Sequence, residues 1–193
     1  MDPYVYPGTD VLQNRRGLRD RALLDVFEAD ATSQRLRQIA AKTPPGHFDM
    51  PHLQSIHRYI FQDVYAWAGE LRTVNIQRPG QFFFAFAEQL IPVLTTTFDR
   101  LRAERHLEGS SAERFSQRAA FYLGELNAAH PFRDGNGRTQ REFIRQLAHL
   151  SGHSLEWRKV TRDQMYAASH RSFQRADNAG LAEVIAAALE SGN

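Results

Sequence analysis

The sequence predicts a mainly α protein, a compact helical bundle carrying one short β-hairpin. Two observations point there and a third excludes the main rival. Apolar residues recur at steps of three and four over most of the chain. That period gives way once, over 71–86, to β-branched and aromatic residues around a turn. No alternation of strand and helix patterns supports a doubly wound sheet. At 193 residues the chain fits one domain, 1–193, with one core.

The first 18 residues hold Pro3, Pro7, Gly8 and Gly17 and predict an irregular arm, 1–18. From Leu18 to Ala41 the pattern is helical, with Leu23, Val26 or Phe27, Leu36 and Ile39 near a 3.6 period. TPPGHFDMP, 43–51, is a loop. Residues 52–68 form an amphipathic helix on Leu53, Ile56, Ile60, Val64 and Trp67, which Gly69 should end. LRTVNIQ (71–77) and QFFFAF (81–86) flank Arg78-Pro79-Gly80 and predict the hairpin, 71–86. Helices follow over 87–105 and 111–129, the latter with Phe115, Ala119, Tyr122 and Leu126 on one face. A further helix carries Phe143, Leu147 and Leu150 and stops at Gly152. HSLEWRKV, 153–160, is a connector. Thr161 caps a helix over 162–175, and a last helix covers 178–190.

Composition excludes several classes. There are no cysteines, hence no disulfide framework, thiolate zinc site or cysteine nucleophile. This fits a cytoplasmic protein. No apolar run is long enough for a membrane span, and the start, MDPYVYPGTD, lacks the features of a signal peptide. Net charge is +2, from 24 basic and 22 acidic residues, too balanced to argue for direct nucleic-acid binding. Only Lys42 and Lys159 are lysines. The arginine bias reads as genome composition, and Arg15, Arg16, Arg19 and Arg21 as a solvated face. Zinc finds no good ligand set: His149 and His153 are separated by Gly152, and His52 and His57 share a face poorly.

The chemistry concentrates in HPFRDGNGR, 130–138. Gly135 and Gly137 around Asn136 permit positive φ and close approach of a ligand. The next helix begins at about Asn136 or Gly137, so its unpaired N–H groups and dipole form an anion site. Arg138 and Arg141, three apart on the first turn, should face the same anion. Two arginines behind such a turn suggest a polyphosphate. Asp134 offers a hard oxygen to Mg²⁺ on that polyphosphate. His130 can act as a base near neutral pH. Phe132 is a core anchor without a chemical role. Singly, GNG is usually a turn and a helix-ending histidine usually a cap; together they fill distinct roles in one phosphate-transfer site. GxxxxGK[ST] and GxGxxG are absent.

HPFRDGNGRTQR, 130–141, resembles the Fic family signature HxFx[D/E]GNGRxxR at every fixed position. HRYIFQDVYAWAGELRTVNI, 57–76, resembles the family's helix and flap, and YVYPGTDVLQN, 4–14, the opening of bacterial Fic toxins. The resemblance implies the Fic fold and protein adenylyltransferase activity. AMP would move from ATP to a hydroxyl of a target protein, with pyrophosphate released. It gives His130 the role of base and Asp134 that of Mg²⁺ ligand. Gly135, Asn136 and Gly137 become the anion nest, with Asn136 on the α-phosphate, Arg138 facing the β-phosphate and Arg141 the γ-phosphate. Arg78, Pro79 and Gly80 stand where relatives carry lysine-glycine-glycine and would cover the nucleotide. Thr73, Val74, Asn75 and Ile76 would dock the target by strand addition. A branch with ANKR in place of GNGR transfers phosphate, and another transfers phosphocholine. A degenerate fold serving only as a binding module is the alternative from outside enzymology.

Compact bacterial relatives modify the ATPase subunits of DNA gyrase and topoisomerase IV, which makes those subunits the target class the resemblance names. Family members are commonly held off by a helix bearing [S/T]xxxE[G/N], whose glutamate pairs with the second signature arginine. Here the only glutamate before Gly or Asn is Glu108, before Gly109, and four residues earlier stands Glu104. The chain lacks its own brake by this reading. The expected partner is a small helical antitoxin that supplies the glutamate to Arg141.

Overall fold

The computed structural model describes residues 2–43, 46–77 and 83–190. Among these, seven α-helices form the bundle: α1 (Arg21–Ala41), α2 (Met50–Phe61), α3 (Leu90–Ala103), α4 (Ala112–Ala129), α5 (Asn136–Leu150), α6 (Arg162–Arg175) and α7 (Ala179–Ala188). Side chains of Asp20, Asp49, Ser111 and Thr161 cap α1, α2, α4 and α6 by accepting N–H groups of the first turn. Thr161 and Gln164 complete a capping box. Gly152, at φ +87, lies just beyond α5.

Helix α4 is the hub, packed on α3, α5, α6 and α7. Its expected face of Phe115, Ala119, Tyr122 and Leu126 is buried, and Phe143, Ile144 and Leu147 of α5 join the same core. Leu150, expected on that α5 face, is exposed.

Helix α1 turns Phe27, Leu36 and Ile39 of its expected apolar stripe toward the core, but not Leu23 or Val26. Leu23 and Val26 are 59% and 71% exposed, while Leu24, Thr32 and Ile39 are buried. The inward stripe also carries Glu28, which reaches Arg138 across the bundle. Hydrophobic periodicity cannot report such a charged partner.

The helix expected over 52–68 stops at Phe61. Residues 62–68 coil back along α2 instead. Asp63 is held by Arg35 through two bonds of 2.6 and 2.9 Å. Arg58 and Gln54 donate to the carbonyls of Ala68 and Gly69. Gly69 (φ +88) is required, since a Cβ there would lie 2.8 Å from Arg58 Cβ. The amphipathic pattern continued because this coil also buries Val64 and Trp67.

The hairpin expected over 71–86 is one antiparallel bridge, Gln77 to Phe83, with Phe84 N–H donating to Ile76 O at 3.3 Å. Its tip, 78–82, lies outside the described residues. Arg72 shows why no longer ladder forms among those described. Its guanidinium takes the carbonyls of Val74 and Ala85.

The coil after α2 also places a buried histidine. Gly69 N–H donates to His57 Nδ1 at 2.8 Å, so the ring's proton sits on Nε2 and is donated to Asp134 O at 3.0 Å. The ring stacks on Phe132 with centroids 3.9 Å apart. Burial pushes its pKa from 6.5 down to about 3, and burial lowers His52 as well. Both rings are neutral when folded and gain protons once unfolded below about pH 6.5. Their stabilisation is therefore full above that pH and is lost as pH falls toward the folded values. Asp63, held low by Arg35, matters only further into acid. The thermal midpoint should drop as pH falls below about 6.5, with a slope of up to about 1.4 kcal/mol per pH unit per proton. His57→Asn should flatten it. An unchanged slope in that variant would mean that His57 is not the neutral buried ring described.

Candidate active site

The site begins where α4 ends. His130 caps that helix in the left-handed region (φ 47, ψ 60), its N–H donating to Leu126 O. A non-glycine residue there costs about 1–2 kcal/mol, so the surroundings must hold it. Arg72 Nε donates to His130 O at 2.8 Å and Arg72 Nη2 to Ala129 O at 3.1 Å. The His130 ring stacks on Phe84, centroids 3.8 Å apart. Its Nδ1 lies 3.2 Å from Asn127 O. A carbonyl only accepts, so Nδ1 bears the proton and Nε2 is the basic nitrogen of the neutral ring.

The loop to α5 is held from inside. Phe132 is fully buried against His57. The Asn136 amide clasps the Phe132 backbone, accepting its N–H at 2.9 Å and donating to its O at 2.8 Å. These bonds use one of the two Nδ2 hydrogens, and the backbone N–H of Asn136 also lies at the helix start. Gly135 has φ +79, and a Cβ on it would lie 2.2 Å from Phe61 Cζ. Both backbone and space demand glycine here. At Gly137 a Cβ would meet only the end of Arg141. The first intrahelical acceptor of α5 is Gly135 O, bonded by Thr139 N–H. The N–H groups of Asn136, Gly137 and Arg138 thus precede the helical ladder, at the positive end of the dipole.

The two arginines, expected to face one anion, differ in their protein partners. Arg138 pairs with Glu28, bonds Thr32 Oγ1 at 3.0 Å and lies over the Phe61 ring at 4.6 Å. Glu28 also accepts the Tyr65 hydroxyl. Burial, reinforced by Glu28, raises the Tyr65 pKa. Arg141 is half-buried and has no ion pair among the described residues. Burial and the neighbouring charge of Arg138 lower its pKa. Its carbonyl accepts the Trp157 indole N–H at 2.9 Å.

A cavity of about 420 Å³ opens between α4, α5 and α6, and His130, Gly137 and Arg141 all line it. Trp157, Met165 and Tyr166 form its other wall. Asp134 and Arg138 are not among the lining residues. Asp134 accepts the Gly135 N–H, is partly exposed and makes no ion pair among the described residues. These residues contain no group of three or more metal-ligating side chains. One carboxylate suits Mg²⁺ when substrate phosphates supply further oxygens, so Asp134 fits that ion and would not suit a metal held by protein alone.

The flap residues present a mixed edge. Thr73 N–H is taken by the Tyr4 hydroxyl at 3.1 Å. Val74 O accepts from Arg72 at 2.7 Å, Asn75 Oδ1 accepts Ala87 N–H at 2.8 Å, and Ile76 O accepts from Phe84. Thr73 is closed by the N-terminal arm, which Asp2 also ties to Arg133. Arg78, Pro79 and Gly80 lie outside the described residues.

Sequence reasoning missed Arg72, His57, Glu28 and Trp157. His57 left a usable signal, for it falls four after Leu53 and three before Ile60, on the apolar stripe of α2. Arg72 left none beyond being a charge inside a β-rich segment.

A half-buried cation without a counter-ion costs stability and waits for an anion. Arg141→Met should hold or raise the thermal midpoint while weakening the binding of pyrophosphate and ATP. A lowered midpoint with unchanged binding would make Arg141 a structural cation instead.

Residues 47–148 match the Fic/DOC family. Protein adenylyltransferase VbhT of Bartonella schoenbuchensis is 42% identical over 174 residues, which is 89% of this chain and 36% of that protein. The chain thus spans about a third of the length of VbhT. The probable protein adenylyltransferase y4lH of Sinorhizobium fredii is 39% identical, over 89% of this chain and 88% of its own length. Among solved structures, BepC of Bartonella tribocorum with bound AMPPNP superposes with a TM-score of 0.93 at 25% identity, covering 98% of this chain and 97% of that one. Family match and sequence identity agree with the Fic fold seen in the coordinates, and the chain belongs to the Fic/DOC family.

Proposed function

We propose that this chain is a protein adenylyltransferase. The observation that carries the reading is Arg141: a cation without a carboxylate partner among the described residues, beside a helix N-terminus and sharing one cavity with His130. The names of the relatives and the nucleotide in the BepC structure support it. In the reaction the target hydroxyl oxygen attacks the α-phosphorus of ATP. The bond from that phosphorus to the bridging oxygen of the β-phosphate breaks, and pyrophosphate leaves. The hydroxyl proton passes to His130 Nε2. The N–H groups at the start of α5 stabilise the charge that builds on the phosphoryl oxygens. Arg141 holds the γ-phosphate. Arg138 has five N–H donors and can meet the β-phosphate from the edge not engaged by Glu28. Asp134 would hold Mg²⁺, which neutralises phosphate charge. The tip Arg78-Pro79-Gly80 covers the nucleotide, and the arm 73–76 docks a target strand beyond the closed Thr73.

The protein works in the cytoplasm, on protein hydroxyls; the gyrase and topoisomerase IV ATPase subunits are the first candidates by family analogy. No helix among the described residues is long and apolar enough to cross a membrane. No carboxylate among the described residues occupies Arg141, so control falls to a separate helical antitoxin whose glutamate competes with phosphate for that guanidinium.

His130→Ala should cut transfer from ATP to lysate proteins by about 10²–10⁴ with ATP affinity retained. Expressed alone, the wild type should arrest bacterial growth and the variant should not. Near wild-type transfer by the variant would remove His130 as base. Harmless expression of an active wild type would remove the antitoxin.

A further inference from the structure

Among the described residues Arg72 is the largest fully buried side chain, 2% exposed, and its guanidinium meets no carboxylate. All its bonds go to carbonyl oxygens, in two groups. One group ends α4: Ala129 O and His130 O. The other lies in the two arms of the flap: Val74 O and Ala85 O. Backbone bonds run parallel, from Arg72 N–H to Pro131 O at 2.9 Å and from Ala85 N–H to Ala128 O at 3.1 Å. Between them Phe84, next to Ala85, lays its ring on the imidazole of His130. Burial lowers the Arg72 pKa to about 10, so it stays charged at neutral pH.

We propose that Arg72 is a positioning residue for the transfer, binding the base of the flap and the peptide of His130 into one unit, so that the strand receiving the target and the base receiving its proton keep a fixed relation. The inference rests on the adenylyltransferase reading. Only a planar fork with several donors can serve carbonyls from three chain segments at once. A lysine keeps the charge but offers a compact point of contact. Arg72 is not among the residues lining the cavity, so its loss should misplace the base rather than weaken nucleotide binding.

The test uses the full chain, ATP labelled in the α-phosphate and bacterial lysate proteins as acceptor. Wild type, Arg72→Lys, Arg72→Gln and His130→Ala are compared for maximal transfer rate, apparent KM for ATP, directly titrated ATP affinity and thermal midpoint. Arg72→Lys should lose roughly 10–100-fold in maximal rate, the scale of a small misplacement of a reacting group, with ATP affinity and KM for ATP little changed. Arg72→Gln should lose at least as much. If both folded variants transfer at the wild-type rate, or lose ATP affinity as steeply as rate, the proposal is overturned. Failure of the wild type to label any protein above His130→Ala would instead refute the adenylyltransferase reading. Should both Arg72 variants fail to fold, proton exchange in the wild type decides. An Arg72 Nε–H exchanging as fast as that of the exposed Arg37 would overturn the proposal, and strong protection would support it.

Discussion

A cation buried among carbonyl oxygens organises this molecule. The last carbonyls of a helix are unpaired and carry the negative end of its dipole. In α4 those of Ala129 and His130 are met by Arg72, which comes from a segment more than fifty residues earlier in sequence. Hydrogen bonds to a charged group contribute about 1.5–3 kcal/mol each, enough to hold His130 in its left-handed conformation. The same guanidinium holds the Val74 and Ala85 carbonyls at the base of the flap. Helix end, flap base and histidine conformation thus meet at one buried side chain.

The loop after His130 is rigid for related reasons. Its polar groups are satisfied from within by the Asn136 amide and from behind by His57. Its one left-handed glycine fits against Phe61 without room for a methyl group. Such a loop presents N–H groups in a fixed direction before any ligand arrives, and preorganised donors stabilise developing phosphoryl charge without reorganising. The arginines divide the remaining labour. Arg138, clamped by Glu28 and Thr32, ties α1 to the loop, while Arg141 lines the cavity, as does Arg162.

Much of this was legible in the sequence where one residue acts on its neighbours. The cap at Thr161, the stop near Gly152 and the core face of α4 all follow from local pattern. Of the signature residues, His130, Gly137 and Arg141 line one cavity, and Asp134 and Arg138 do not. What stayed hidden depends on pairs distant in the chain. Glu28 of α1 pairs with Arg138, more than a hundred residues away. The coil at 62–68 kept a helical apolar spacing although Arg58 and Gln54 of α2 and Arg35 of α1 hold it in place. Arg72 gave no signal because its acceptors are backbone atoms, which no side-chain pattern reveals.

The central claim is that this rigid loop delivers the α-phosphate of ATP to a protein hydroxyl. Parallel incubations with ATP labelled in the α-phosphate and in the γ-phosphate test it most directly, with the same lysate proteins as acceptors. Label from the α-phosphate should become protein-bound and label from the γ-phosphate should not. Incorporation of the γ-label would contradict the claim and make the chain a phosphotransferase, while incorporation of neither by an active, folded preparation would leave it without the transfer chemistry proposed.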